Sequence, residues 1–262
     1  MSETVADLVA AEALGARRAL TGVTDETVDE TLAHALELLG ERADEVLAAN
    51  ELDLAAARGT LDDGAIDRLR LDAGRLETIA AGIRATAALE PIDRELRSWR
   101  LDNGLEVSER LIPVGVVGAN FEARPNVAVD VATQVLKSGN AVVLRTGSAA
   151  LGTVTVLVDR VLRPALEAAG ADGAAVGLVR SPDRAGAEAL VSLPDLLPLV
   201  ILRGSGASTA ALVRIAAAHG VRALAHAEGG RSERGSEQDR QHGERERHGD
   251  TDRHRDHEHG HI

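Results

Sequence analysis

The sequence predicts an α/β fold: N-terminal helices and a β-hairpin, then a doubly wound parallel five-stranded sheet, then a disordered C-terminal tail. Three observations carry that expectation. Through the first ninety residues, apolar side chains recur at three- and four-residue steps, the period of helices with one buried face. From residue 114 onward, short Val-rich runs alternate with helical segments, the pattern of a parallel sheet covered on both faces. From 231 to 261 there is no Ala, Val, Leu, Ile, Met or aromatic residue, so that segment cannot bury enough apolar surface to offset the entropy of ordering it.

The elements follow in order. Val28, Leu32, Leu36, Leu39, Ala43 and Leu47 form one helical stripe, and Asp25, Glu26, Asp29 and Glu30 sit near its start, where the helix dipole favours negative charge. A further helix is expected over 75–89, with Leu76, Ile79, Ile83 and Ala87 on one face. These helices read as a packed layer without chemistry of its own. In "SWRLDNGLEVSERL" (98–111) apolar and polar residues alternate around Asn103-Gly104, a dipeptide suited to the positive backbone angles of a two-residue hairpin turn. Two antiparallel strands are expected here, outside the main sheet or at its edge. Strands are then predicted at 114–118, 141–145, 174–179, 197–202 and 221–225, and helices at about 127–137, 149–169, 183–192 and 206–219. Five such strands make a Rossmann-like, doubly wound architecture. The regions are a helical part (1–95) packing on the sheet domain, a hairpin (96–112), the sheet domain (113–228) and the tail (229–262).

The core must be built from aliphatic side chains, because the chain has one Phe, one Trp and no Tyr. A net charge of −13 argues against a nucleic-acid or anionic-membrane surface, since both need clustered positive charge. Lys137 is the only lysine, and cysteine is absent, which excludes disulfides and thiolate metal sites from these residues. No signal-like N-terminus and no membrane-length apolar run is visible, so a cytoplasmic location is expected. Six of the nine histidines fall in the tail. A metal-binding segment would explain that; so would a shifted reading frame in GC-rich DNA, the reading preferred here, and no metal site is assigned.

In an open parallel sheet, ligands bind at the carboxyl ends of the strands. Three loops therefore matter. In "GANFEARPN" (118–126), Pro125 suits the first turn of a helix, and Asn126 can cap that helix or donate an amide to a developing oxyanion. In "LRTGSAA" (144–150), Arg145 closes a strand, suited either to a ribose 2′-phosphate or to an ordinary ion pair, and Ser148 can cap the next helix. In "RGSGAST" (203–209), Gly204, Ser205 and Gly206 precede a helix whose N-terminus can hold a pyrophosphate.

Taken together, "PVGVVGANFEARPNVAVDVATQVLKSGNAVVLRTGS" (113–148), "LAANELDLAAAR" (47–58), "DRLRLDAGRLETIAAGIR" (67–84) and "LDNGLEV" (101–107) closely resemble the γ-glutamyl phosphate reductase (glutamate-5-semialdehyde dehydrogenase) family of the aldehyde dehydrogenase superfamily. The resemblance covers about residues 6–228. It implies NADPH-dependent reduction of L-glutamate 5-phosphate to the semialdehyde, with release of phosphate, in proline biosynthesis. It also implies that Asn126 is the oxyanion donor, that Arg145 and Ser148 lie near the adenosine ribose, and that Gly204, Ser205 and Gly206 lie near the pyrophosphate. The hairpin resembles the superfamily's oligomerisation flap, so a homo-oligomer is implied for the full-length family.

The family's nucleophile is a cysteine thiolate in a further domain, beyond the point where the pattern is lost at "VRALAHAEGG" (221–230). The chain is therefore expected to be C-terminally truncated or frame-shifted and inactive alone, since an alkoxide is a poor substitute for a thiolate. A non-catalytic nucleotide-binding or interaction module is the alternative, and a metal-sequestering role for the tail is a third.

Overall fold

The computed structural model describes residues 4–227, and the tail expected to be disordered lies outside the described residues. Five helices come first: α1 (Val5–Ala19), α2 (Asp25–Glu41), α3 (Ala43–Ala57), α4 (Asp63–Leu69) and α5 (Ala73–Ala87). Thr4, Thr24, Asp62 and Asp72 cap α1, α2, α4 and α5, each side chain accepting a backbone N–H of the first turn, which satisfies donors the helix cannot. The stripe expected to be one helix is two. Arg42 leaves helical geometry (φ −99, ψ 8) and separates α2 from α3, just after Gly40, a poor helix former. One non-helical residue leaves the apolar spacing nearly intact, so periodicity alone does not show the break. Val28, Leu32 and Leu39 are buried on α2, while Ala43 and Leu47 of α3 are partly buried against the same core.

The hairpin pairs β1 (Glu95–Arg100) with β2 (Glu106–Arg110) in a separate two-stranded sheet. Its turn differs from the expected two-residue type. Gly104 N–H donates to Leu101 O (2.8 Å) and Leu101 N–H to Leu105 O (2.8 Å), closing a three-residue loop in which Gly104 alone has positive φ (+86). Asn103 instead accepts the Leu105 N–H through Oδ1 at 3.0 Å, the local role amide side chains play in turns.

The main sheet contains β3 (Val116–Phe121), β4 (Ala141–Thr146), β5 (Val176–Leu178), β6 (Leu199–Gly204) and β7 (Arg222–Ala227). All neighbours are parallel, in the order β5-β4-β3-β6-β7. The order reverses at β3, so the sheet is doubly wound, as expected. Helices α1, α9 (Arg184–Leu190) and α10 (Gly206–His219) pack on one side; α6 (Pro125–Lys137) and the segment formed by α7 (Leu151–Leu157) and α8 (Arg163–Ala168) pack on the other, overlaid by α2, α3 and α5. Gly118, at the centre of β3, permits close packing, since a Cβ there would stand 2.9 Å from Val200 Cγ1 and 3.1 Å from Leu190 Cγ. Lys137, nearly buried at the end of α6, pairs with Asp29 of α2 and ties the outer helices to the sheet layer.

Two further boundaries depart from expectation. The helix anticipated over 149–169 is a 3₁₀ turn (Ser148–Ala150), α7, a π turn (Val158–Leu162) and α8. Pro164 accounts for the widened turn, because it has no N–H for the Arg160 carbonyl and its ring crowds that group. β3 also runs three residues beyond 118, with Ala119, Asn120 and Phe121 still paired to both β4 and β6. Among the described residues no helix is long and apolar enough to cross a membrane.

Candidate functional site

The reversal of strand order leaves a crevice at the carboxyl ends of β3 and β6, where doubly wound sheets bind ligands. Chain geometry there is specific. After Phe121, Ala123 adopts φ +44, left-handed backbone that a non-glycine residue holds at about 1–3 kcal/mol when the surroundings demand it. That bend lets α6 begin at Pro125, whose missing N–H has no intrahelical partner to lose. Glu122 and Arg124 flank the bend.

The Glu122 carboxylate reaches the N-terminus of α10. It accepts the Ser205 N–H (3.4 Å) through Oε2 and the Ser208 hydroxyl (3.1 Å) through Oε1. Gly204 makes room, since a Cβ there would lie 3.1–3.3 Å from the carboxylate atoms. Ser205 caps α10, its Oγ accepting the Ser208 N–H at 3.4 Å. The helix end expected to receive an anion thus already faces one, a side-chain carboxylate, in keeping with its partial positive charge.

On the other side of Glu122, Arg145 closes β4 and is only 6% exposed. Its Nη1 donates to Asn120 Oδ1 (3.1 Å), and its Nη2 to the Pro182 (2.6 Å) and Asp183 (3.0 Å) carbonyls. Nε is buried without a hydrogen-bond partner. Burial pushes this guanidinium below its usual pKa, while the Glu122 and Asp183 carboxylates pull it back up; it stays charged at neutral pH. Arg145, Asn120, Glu122, Arg184 and Ser208 line a cavity of about 220 Å³.

A second cavity, of about 340 Å³, lies at the reversal point itself and is lined by Arg68, Glu122, Arg124, Arg203, Gly204, Ser205 and His226 among others. Arg124 is pushed below its usual pKa by burial first, then by the charges of Arg68 and Arg203. A third cavity, of about 290 Å³, holds Asn126, Asp130, Arg124, Arg70 and Arg75. There Asn126 Nδ2 donates to Asp130 Oδ2 at 3.0 Å. Burial raises the Asp130 pKa, against the Asn126 hydrogen bond and the Arg203 charge.

The residues singled out in the sequence are thus divided. Arg145 lines one cavity, Gly204 and Ser205 line the second, and Asn126 lines the third. Asn126 is the second residue of α6 and not its cap; that position falls to Arg124, whose side chain makes no capping bond. Ser148 likewise caps nothing: it opens the 3₁₀ turn, is exposed, and neither the turn nor α7 has a side-chain cap. Gly206 is the first residue of α10. Sequence reasoning did not select Glu122, which borders two of the cavities, or Arg68, Arg203 and His226. Glu122 stood inside the quoted loop, but its significance appears only once α10 is seen opposite it.

No protein-family model matches the chain. It is 44% identical over 191 residues to γ-glutamyl phosphate reductase of Anaeromyxobacter sp. (strain Fw109-5), covering 72% of this chain and 44% of that protein. The solved γ-glutamyl phosphate reductase of Thermotoga maritima superposes with TM-score 0.78 at 29% identity, over 83% of this chain and 53% of that one. Methylmalonate-semialdehyde dehydrogenase of Oceanimonas doudoroffii superposes with TM-score 0.65 at 18% identity, over 85% and 43%, a likeness of fold alone. The chain spans about half the length of the curated relatives it matches.

Proposed function

We propose, from the premise that this chain is a homologue of the γ-glutamyl phosphate reductases over about half their length, that it binds a nicotinamide coenzyme at the carboxyl edge of its sheet. The reaction it serves is NADPH-dependent reduction of L-glutamate 5-phosphate to L-glutamate 5-semialdehyde and phosphate, in proline biosynthesis. The observation that carries this reading is the crevice at the carboxyl ends of β3 and β6, where the chain leaves the two adjacent strands for opposite faces, bordered by a buried arginine and a helix N-terminus on a sheet that superposes on that of a solved γ-glutamyl phosphate reductase.

The residues fit such a coenzyme in part. Arg145 presents a fixed, desolvated guanidinium with three of its five N–H groups engaged by the protein, suited to the adenosine ribose and its phosphate; Ser148 is the adjoining exposed hydroxyl. Gly204, Ser205 and Gly206 bring the start of α10 to the pyrophosphate. The cavity of about 220 Å³ is smaller than the roughly 300–1,000 Å³ of ligand pockets in general, which suits one ribose-phosphate fragment and not a whole dinucleotide. Bound coenzyme would supply hydride. Asn126 has one amide N–H engaged by Asp130 and a second with which to donate to an oxyanion. The hairpin, with Leu96, Trp99, Leu101 and Leu105 exposed, is the surface proposed for contact with another copy. Because these 262 residues contain no cysteine, they are expected to hold NADPH without oxidising it when L-glutamate 5-phosphate is added.

A fluorescence titration with NADPH tests the reading: saturable quenching or enhancement supports it, and a flat signal from folded chain contradicts it. Glu122→Gln gives a second result in the same assay. Glu122 lies where coenzyme phosphates would approach α10, and a carboxylate at a helix N-terminus is worth about 0.3–1 kcal/mol. Removing its charge is therefore expected to tighten NADPH by about two- to fivefold, an effect that shrinks at high salt. Weaker binding would place the phosphates elsewhere.

A further inference from the structure

We infer that the cavity holding Asn126 receives the amino-acid end of the substrate, with the Asp130 carboxylate as acceptor for its α-ammonium group. This assignment rests on the function proposed above, in which Asn126 meets the reacting carbonyl. The cavity, of about 290 Å³, lies between the end of α4, the start of α5 and the first turns of α6. Asn126 and Asp130 are four residues apart on α6, so they share one face of the helix, and Asn126 Nδ2 donates to Asp130 Oδ2 at 3.0 Å. In L-glutamate 5-phosphate only two methylenes separate the acyl carbon from the α-carbon. A substrate whose carbonyl meets the second Asn126 N–H therefore brings its ammonium within reach of the adjoining carboxylate.

The charges in the cavity single out Asp130 for this role. Its other carboxylate, Asp67, is already paired, Oδ1 lying 2.8 Å from Arg75 Nη2. Asp130 is partly buried and forms no ion pair among the described residues; its one hydrogen bond there comes from Asn126. Burial, the largest influence on this carboxyl, works against its ionised form, and Arg203 favours that form only through charge. A bound ammonium supplies the close cation that the described residues do not, in surroundings where partial burial strengthens such a contact. Arg70 and Arg75 give the lining positive charge as well, which suits a ligand whose net charge is negative.

The test uses the full 262-residue chain with L-glutamate and glutarate as probes, at ionic strength held constant with sodium chloride. Glutarate keeps the carbon chain and both carboxylates and lacks the amino group. Calorimetry is expected to show saturable L-glutamate binding, with glutarate weaker by about tenfold or more, the scale of a hydrogen bond to a charged group. Asp130→Asn keeps an acceptor for the Asn126 amide and removes the charge. It is expected to weaken L-glutamate by a similar factor and to leave glutarate unchanged. A melting curve establishes that the variant is folded; if it is not, the comparison of the two probes on the unaltered chain decides the case.

Absence of saturable L-glutamate binding, or equal affinity for the two probes, overturns the assignment. So does a folded Asp130→Asn variant that binds L-glutamate unchanged or loses both probes equally. An NADPH titration of the same chain separates this outcome from the coenzyme reading. NADPH bound without L-glutamate removes the subsite and leaves the coenzyme reading standing; L-glutamate bound through Asp130 without NADPH does the reverse.

Discussion

Replacing Phe121 with alanine is expected to destabilise the chain by about 3–5 kcal/mol, the range for emptying a buried phenylalanine site. Phe121 is the only phenylalanine, is 1% exposed, and ends the central strand with Thr146 and Arg203 as its register partners. The surrounding core consists of Ala, Val, Leu and Ile. No large neighbouring ring can swing into the space, and close-packed interiors relax only partly. Denaturant unfolding measures the loss; Phe121→Leu, which keeps most of the volume, is expected to cost under about 1.5 kcal/mol. Since Phe121 immediately precedes Glu122, the alanine variant is expected to loosen the bend that positions Glu122 and Arg124 as well. A cost below about 1 kcal/mol for Phe121→Ala would mean that β3 does not end in a packed core.

Asn50→Leu is the second large effect, about 3 kcal/mol, and arises from polar groups. Asn50 is 1% exposed. Its Nδ2 donates to Leu69 O (2.9 Å) and Thr153 Oγ1 (3.2 Å), and its Oδ1 accepts the Leu71 N–H (2.7 Å). Leucine is of similar size, so the site is filled, but the Leu69 carbonyl and Leu71 N–H lose their partner inside the protein. Each buried group left unpaired costs about 1–3 kcal/mol. Hydrogen exchange supplies the local check: the Leu71 amide is expected to lose protection in the variant, and unchanged protection would contradict the account. The consequence extends to the cavity of about 340 Å³, because Leu69 ends α4, the helix that carries Arg68.

The fold was legible in the sequence because burial writes itself into apolar periodicity. The strand-and-helix alternation after residue 114 returned all five strands, and Pro125 marked the start of α6. The errors lie where a tertiary partner overrides a local signal. Reading β3 as ending at 118 treats Asn120 as a loop residue; it is a strand residue, 4% exposed, because Arg145 of the neighbouring strand bonds its side chain. The break at Arg42 is hidden by an apolar spacing that survives it, and the π turn at Val158–Leu162 follows from Pro164, which leaves the apolar periodicity of 149–169 unchanged.

The candidate site was legible one residue at a time and not as an arrangement. Arg145 could be seen closing a strand, but the carbonyls of Pro182 and Asp183 that hold it are nearly forty residues away in the chain. Arg68 and Arg203 sit in unremarkable helix and strand contexts, and nothing local says that they face one cavity with Arg124. Glu122 required knowledge of strand order, because only the adjacency of β3 and β6 sets its carboxylate against α10.

The most direct measurement is a crystal structure of the chain soaked or grown with NADPH. The account predicts the adenosine ribose against Arg145, the pyrophosphate at the N-terminus of α10, and the Glu122 carboxylate displaced from Ser205 and Ser208. Coenzyme lodged away from the carboxyl edge of β3, β4 and β6, with Glu122 still bonded to α10, would contradict it.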